Sequence, residues 1–352
     1  MPVSVAYQDL DRFVRAALEA VEVPADDAAL VADCLVYANL SGVDSHGVVR
    51  LPHYVRRLTN GTIKTRPRIT FDRPKPAIMR VDGDDGLGHV VTARAVEQGI
   101  AACREVGTVT LAIGNSSHFG MAGYYLRAVT EAGLVGMITT NTDAMIVPPG
   151  ARRAFIGTNP LAYGFPTGGE PFVLDFATTL VSFGKVALAR AEDKAIPDHW
   201  GVDEEGEPTT DPHRIRGMHP VGGYKGAGLA MAIDLFCSMF TGMPFGPHVN
   251  KMYLEMDAPR KLGHFITLWD IDAFVPVAEI RRRVDQFIEE LHALATRSED
   301  TKLFFPGEPE ALRRAERREN GIPIESGLLA ELRELAGRLG IDFSTLTRAG
   351  KG

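Results

Sequence analysis

Val109-Thr-Leu-Ala-Ile-Gly-Asn-Ser-Ser-His-Phe-Gly120 runs from a short apolar strand pattern straight into a glycine-bounded polar loop. Val109 to Ile113 reads as a strand. The loop that follows holds one histidine, His118, and Ala122 to Ala132 then reads as a helix closed by Gly133. On the upstream side a helix from Val90 to Val106 is closed by Gly107, and Ala77 to Val81 reads as a strand. Downstream, Leu134 to Thr140 is another strand. Strands alternating with helices argue for a mixed α/β domain.

Outward from that centre the texture changes. Leu10, Phe13, Val14, Ala17 and Leu18 recur at helical spacing, and a second helix starts at Pro24-Ala-Asp-Asp27. A third runs from Leu51 to Leu58 and stops near Gly61. Leu161 to Phe165 and Phe172 to Phe176 are short strands, and residues 196–222 read as a polar surface excursion. Lys225 to Phe240 is a strongly apolar helix suited to a core or an interface. Ile266 to Ile271 is a strand, and helices at Ile280–Leu291 and Leu328–Leu339 form the tail. The expected organisation is a helical lobe over 1–74, an α/β domain over 75–272 and a helical segment over 273–352 that packs back on the first.

Composition narrows the function. The chain has 352 residues and a formal net charge of −7, against a general nucleic-acid partner, which needs a basic face. The run Arg313 to Arg318, interrupted by Glu316, reads as a solvated helix face. No signal peptide or membrane span is expected: the N-terminus lacks an apolar core, and Leu229 to Phe240 is short and carries Asp234. Three dispersed cysteines suggest neither a disulfide framework nor a zinc knuckle, and point to the cytoplasm. No metal site is expected: the histidines show neither HExxH nor H-x-H.

Four segments gather polar groups among glycines. In Asp44-Ser-His-Gly-Val-Val-Arg-Leu-Pro-His-Tyr54, a helix beginning at Gly47 would put Arg50 and Tyr54 on one face. An arginine there suits a carboxylate, though it equally suits a solvent-facing helix cap. His118 follows a strand, where ligands favour the carboxyl end, and an imidazole suits acid–base work. Taken alone, a loop histidine is more often structural. Thr140 to Gly150 and Gly157 to Pro160 read first as turns. Gly222-Gly-Tyr-Lys-Gly-Ala-Gly228 enters the apolar helix, as an anion-binding helix start does, with Lys225 adding charge. It is neither a Walker A loop nor GxGxxG, and no GxSxG elbow occurs.

Taken in order, these segments carry a resemblance. Gly42-Val-Asp-Ser-His-Gly47 with Arg50, Asn115 to Gly120, Gly157-Thr-Asn-Pro160, Leu174-Asp-Phe-Ala-Thr-Thr179, Gly184-Lys185 and Lys225-Gly-Ala-Gly-Leu229 resemble the malate/L-lactate dehydrogenase family. That family is distinct from the Rossmann-type lactate and malate dehydrogenases, and the likeness covers roughly residues 5–340. The resemblance implies a non-Rossmann NAD(P)-binding domain with a largely antiparallel mixed sheet, and a helical lobe built from both chain ends. It implies a homodimer and a hydride transfer between nicotinamide and a small 2-hydroxy or 2-oxo acid. His118 becomes the proton acceptor. Ser45, His46, Arg50, Tyr54, Thr158 and Asn159 become substrate contacts, with Arg50 the carboxylate clamp. Thr142, Asp175, Phe176, Ala177, Lys225, Gly307, Glu308 and Pro309 match positions that touch the dinucleotide.

Met145 to Gly150, Pro244 to Pro247 with Lys251-Met-Tyr253, and Leu303 to Gly307 resemble the ureidoglycolate branch, while Phe119 after His118 resembles the malate/lactate branch. Phe119 is therefore expected to shape the pocket. Lys185 and Arg190 suit a 2′-phosphate, but Glu192 and Asp193 oppose one, which favours NAD over NADP. Two alternatives stand beside this reading: an NADPH-dependent reductase of a cyclic ketimine or diketo acid, and a non-redox anion-binding or hydrolytic protein.

Overall fold

A computed structural model describes residues 2–298 and 301–347. In chain order the elements are β1 (Val3–Val5), α1 (Tyr7–Glu19), α2 (Ala25–Leu40), α3 (Leu51–Thr59), β2 (Thr70–Lys75), β3 (Ile78–Asp82), α4 (Gly88–Val106), β4 (Thr108–Ser116), α5 (Ala122–Glu131), β5 (Val135–Thr140), β6 (Leu161–Phe165) and β7 (Phe172–Phe176). There follow α6 (Phe183–Ala191), β8 (Gly201–Val202), β9 (Gly217–Met218), α7 (Tyr224–Met239), β10 (Leu262–Trp269), α8 (Val277–His292), α9 (Glu308–Asn320), β11 (Ile322–Ile324) and α10 (Ser326–Leu339).

Seven strands form the main sheet in the order β2-β3-β4-β10-β5-β6-β7. Only β3 and β4 run parallel; every other neighbouring pair is antiparallel. The fold class expected from the resemblance is thus the one observed. Alternation along the strands sets the two faces. Leu111, Ile113, Ile138, Ile266 and Leu268 bury against α4 and α5. Phe265 and Leu161 bury on the other face, against Ile233 and Cys237 of α7. α4 ends at Gly107, whose φ of +81° is open to glycine without strain.

The two chain ends share one core. Leu10, Phe13, Leu35, Leu51 and Tyr54 bury together with Ile322, Ile324, Leu332 and Leu335, and β1 pairs with β11, Val3 opposite Ile324. The tail is divided, however. α9 packs on α2, whereas α8 lines an apolar cavity with Phe165 and Phe172 of the main sheet. The segment before α9 adds to the edge of β7, with Val173 N donating to the Pro306 carbonyl (2.9 Å).

Two sequence expectations are corrected. The arginines of α9 are not all solvated. Arg314 lies over the Tyr37 ring and pairs with Glu170, and Arg317 pairs with Asp44, their side chains only 12% and 11% exposed. Residues 196–222 are not merely a surface excursion: Ile196, Ile215 and Met218 bury with Val186 of α6 in a small core of their own.

Candidate active site

The end of β4 delivers the central loop. β10 runs antiparallel to it with Leu262 opposite Ser116, and β5 lies on the far side of β10 with Thr140 opposite His264. His264, fully buried, ties the three strand ends together, its Nδ1 2.7 Å from Thr140 Oγ1 and its Nε2 2.7 Å from Ser116 Oγ. Two residues beyond Ser116 stands His118.

His118 is half-buried and lies next to groups from a distant part of the chain. The Tyr54 hydroxyl is 2.6 Å from its Nδ1, and the Gly120 amide lies 3.3 Å from the same atom. Its ring stacks near His46, with centroids 5.5 Å apart. Among the described residues Nε2 has no hydrogen-bond partner. Burial, and then the nearby His46, Arg50, His89 and Arg260, hold its pKa well below 6.5. The ring is therefore neutral at pH 7 and free to accept a proton.

Successive residues of extended chain face opposite ways, and Phe119 illustrates this. It is 2% exposed and stacks on His264 (4.7 Å between centroids) and Tyr125 (5.5 Å). Its side chain belongs to the core beneath His118, not to the pocket the sequence assigned it to.

The segment from Asp44 to Tyr54 supplies the facing wall. Residues 44–46 and 48–50 form two short 3-10 turns, and the α-helix begins at Leu51 and not at Gly47 as expected, yet Arg50 and Tyr54 still lie close enough to interact electrostatically. Asn39 fixes the segment: its side chain accepts from Val48 N (2.8 Å) and donates to Asp44 Oδ1 (2.7 Å). Gly47 is required there, since a Cβ would stand 2.2 Å from Asn39 Oδ1. Ser45 Oγ lies 3.0 Å from His46 Nδ1. The His46 pKa is pulled down to about 3 by burial and then by Arg50. Arg50 spends its Nε on the Ser45 carbonyl (2.6 Å) and touches Met252 Sδ (3.8 Å), with Tyr253 over its guanidinium. It has no carboxylate partner among the described residues.

The remaining wall is a hydrogen-bonded seam. Thr142 Oγ1 accepts from Thr158 N (2.8 Å), and Asn159 Oδ1 accepts from Thr142 N (3.1 Å). Asn159 is fully buried and its amide also donates to Ala230 O (2.9 Å), so its side chain is spent on backbone. Thr178 N donates to Thr158 O, and Val221 N to Thr178 O, each at 2.9 Å. That carries the seam to Gly222 and Gly223, both at left-handed φ (+62° and +64°), and to the exposed Lys225 in the first turn of α7. Asp175 accepts from Gly123 N (2.7 Å) at the start of α5, and burial raises its pKa to about 6. The adjoining Phe176 and Ala177 are half-buried. Gly307, at φ +99°, packs against Val173, and Glu308 accepts from Phe305 N (3.1 Å) and pairs with His292 (2.9 Å), while Pro309 is exposed. Residues 306–307 thus lie against the start of β7, at Pro171 and Val173. Arg190 is spent: its guanidinium donates to the Pro212 (2.6 Å) and Ile215 (3.1 Å) carbonyls.

Two residues that no sequence motif singled out also stand here. His89, fully buried and edge-on to Tyr54 (5.0 Å), has no partner for either ring nitrogen among the described residues. Arg260, 3% exposed, donates from Nη2 to Asp143 (2.6 Å) and leaves Nε and Nη1 unpartnered. Among the described residues no three His, Cys, Asp or Glu are grouped to hold a metal.

Residues 5–333 match the malate/L-lactate dehydrogenase family. The chain is 34% identical over 350 residues to a malate dehydrogenase of Pyrococcus horikoshii, covering 97% of this chain and 96% of that one. It is 33% identical over 300 residues to a ureidoglycolate dehydrogenase (NAD(+)) of Escherichia coli, covering 85% and 86%. The solved sulfolactate dehydrogenase of Methanocaldococcus jannaschii superposes with a TM-score of 0.91 at 32% identity, covering 98% of this chain and 99% of that one. With the sheet order, the shared core of the two chain ends and the His118 loop all in place, the chain belongs to the malate/L-lactate dehydrogenase family.

Proposed function

We propose that the protein is a nicotinamide-dependent oxidoreductase that moves a hydride between the cofactor and a small 2-hydroxy or 2-oxo acid, with His118 as the proton-transfer residue. The observation that carries the reading is a neutral His118, Nε2 open, oriented by Tyr54 and close to an arginine that lacks a carboxylate.

Arg50 takes the substrate carboxylate, for which a planar guanidinium is well shaped. The substrate hydroxyl then gives its proton to His118 Nε2. For Nε2 to hold a lone pair, Nδ1 must carry the ring hydrogen, with the Tyr54 oxygen as its acceptor at 2.6 Å; in that tautomer the long 3.3 Å bond that the Gly120 amide donates to Nδ1 is given up. The same bond persists in the imidazolium, which returns the proton in the reductive direction. Ser45 and His46 border the carboxylate end. Thr158 lies beside Thr142 on the seam, and Asn159 supports that seam from below.

The residues present fit a dinucleotide. Gly222 and Gly223 leave the mouth of α7 open, with no heavy atom within 4 Å of a Cβ position. Lys225 adds charge there, and the Thr179 hydroxyl is buried without a partner. Thr142, Asp175 to Ala177, Lys225 and Gly307 to Pro309 are the residues that would hold it. When bound, it supplies the hydride chemistry. The engagement of Arg190 by carbonyls removes one candidate for a 2′-phosphate and supports NAD over NADP.

The reading includes a homodimer. Leu235, Phe236 and Met239 of α7, with Phe240 at its C-terminal cap, are 40–62% exposed, an apolar stripe suited to a second copy. It also includes a cytoplasmic location, consistent with three buried free cysteines. The test is absorbance of reduced nicotinamide with NADH and NADPH across a panel of 2-oxo acids and a cyclic imine. His118→Ala lowers turnover by about 100-fold or more, the scale of a general base. Near-normal turnover in that variant removes His118 from the chemistry. No absorbance change with any substrate, beside hydrolysis of an ester or amide, replaces the redox reading with the hydrolytic one.

A further inference from the structure

We infer that α8 pairs antiparallel with the α8 of a second copy of this chain, so that the homodimer proposed above doubles into a tetramer. The surface lies away from the active site, and the inference does not depend on the dehydrogenase reading.

α8 carries an apolar stripe that the described residues leave uncovered. Ile280, Val284, Phe287 and Leu291, with Leu294 just past the helix end, recur at alternating intervals of four and three residues. That is the spacing of a coiled-coil seam. A helix of a globular protein normally buries such a stripe, and α1 does, through Leu10, Phe13, Val14, Ala17 and Leu18. α8 has 16 residues and buries none of them. Phe287 is 60% exposed and Leu294 59%.

The stripe does not close onto the chain's own sheet. Val284 and Phe287 form one wall of a cavity of about 380 Å³, and Val135, Phe165 and Phe172 form the other. The helix is nevertheless held in place. Asp285 accepts from Gly168 N (3.0 and 3.1 Å) in the turn between β6 and β7. The stripe is therefore presented on a fixed backbone.

Charge identifies the occupant. The first half of α8 carries Arg281, Arg282 and Arg283 against Glu279 alone. The second half carries Asp285, Glu289 and Glu290 and neither Lys nor Arg. A parallel copy would set like halves together, whereas an antiparallel copy sets opposite halves together. In the register that places Ile280 opposite Leu291 and Val284 opposite Phe287, Arg283 flanks the seam beside Glu290 of the second copy, and the two-fold axis repeats that pair. Arg283 and Glu290 are both exposed, so each is accessible from outside the chain. The same register carries each Phe287 to the cavity beside the other copy's Val284.

This contact is separate from that of α7. The α7 stripe lies over the strand ends that lead to His118. Phe236 stacks on Phe265 (4.8 Å), and the Thr241 carbonyl just past α7 stands 3.1 Å from a Cβ position on Gly114. β4 and β5 both run antiparallel to β10, so Val135, which opens β5, marks the opposite end of the sheet, where α8 lies. A helix that pairs with its own copy straddles the two-fold axis. Stripes at opposite ends of one sheet need two axes, and two two-fold axes close as a tetramer.

The experiment is mass in solution, by light scattering on eluted peaks. The wild type should run as four chains. Phe287→Glu should halve that mass with an unchanged far-UV circular dichroism spectrum. Arg283→Glu and Glu290→Arg should each halve it, and the two together should restore it. The bond between Arg283 and Glu279 within the helix is lost in the single Arg283 variant and in the pair alike, so only a contact between copies is rescued. Leu235→Glu on α7 should leave two chains held by α8, and adding Phe287→Glu should leave one. A wild type of two chains that Leu235→Glu splits and Phe287→Glu leaves whole overturns the inference and keeps the homodimer. A wild type of two chains split by Phe287→Glu but not by Leu235→Glu upholds the α8 pairing and removes the α7 contact. A wild type of one chain, or a charge-reversed pair no better than its single variants, overturns the α8 pairing.

Discussion

His264 and His118 lie at the same end of the same strands, yet they differ in one respect. Both nitrogens of His264 are bonded within the protein, at 2.7 Å each. His118 is bonded on one edge only. Arg57 and Arg260 repeat the contrast, the first saturated by His53 and the carbonyls of Met252, Glu255 and Ala258 and the second with two idle nitrogens. Saturated groups build the end of the sheet. Unsaturated groups cost free energy, and on the proposed function they are the ones that meet a ligand.

The largest effect that sharpens this contrast comes from the saturated side. Arg57→Ala orphans three carbonyls and frees the 252–258 loop, and should lower unfolding stability by about 3 kcal/mol or more by denaturant titration. An unchanged midpoint would show that saturation there is not structural. On the unsaturated side, Arg50→Lys should leave stability near wild type and raise KM for a 2-oxo acid about tenfold or more, with a smaller change in kcat, because an ammonium cannot reproduce the planar fork. A fall in kcat alone would move Arg50 out of ground-state binding. Tyr54→Phe should lower kcat about tenfold while keeping KM, since it removes the acceptor that holds Nδ1–H. Equal changes in both constants would make Tyr54 a binding residue.

The sequence made the elements beside His118 legible because they bury apolar residues at regular spacing. Leu161–Phe165 and Phe172–Phe176 are observed at their expected bounds. It did not reveal β2, which is exposed throughout and holds Pro74, or β1 and β11, three residues each, which exist only because the chain ends meet. His118 and Arg50 stood out from their own polar, glycine-bounded segments, but their roles came through the resemblance. Arg260 escaped notice because its local text, Ala258-Pro-Arg-Lys261, is that of an ordinary turn. Its meaning appears only when β10 pairs with β4 and Asp143 takes one of its nitrogens. Phe119 was misassigned for the opposite reason: adjacency in sequence to His118 put it in the pocket, while alternation turned it into the core.

The central claim is that a neutral His118 takes the substrate proton, and the pH profile of kcat/KM in the oxidative direction reads it. The free enzyme's base must be unprotonated, and burial with nearby positive charge holds its pKa well below 6.5. As pH falls from neutral, activity should stay level through 6.5 and decline only at lower pH, with that limb absent from the residual activity of His118→Ala. A limb at or above 6.5, or one that survives in the variant, would contradict the account.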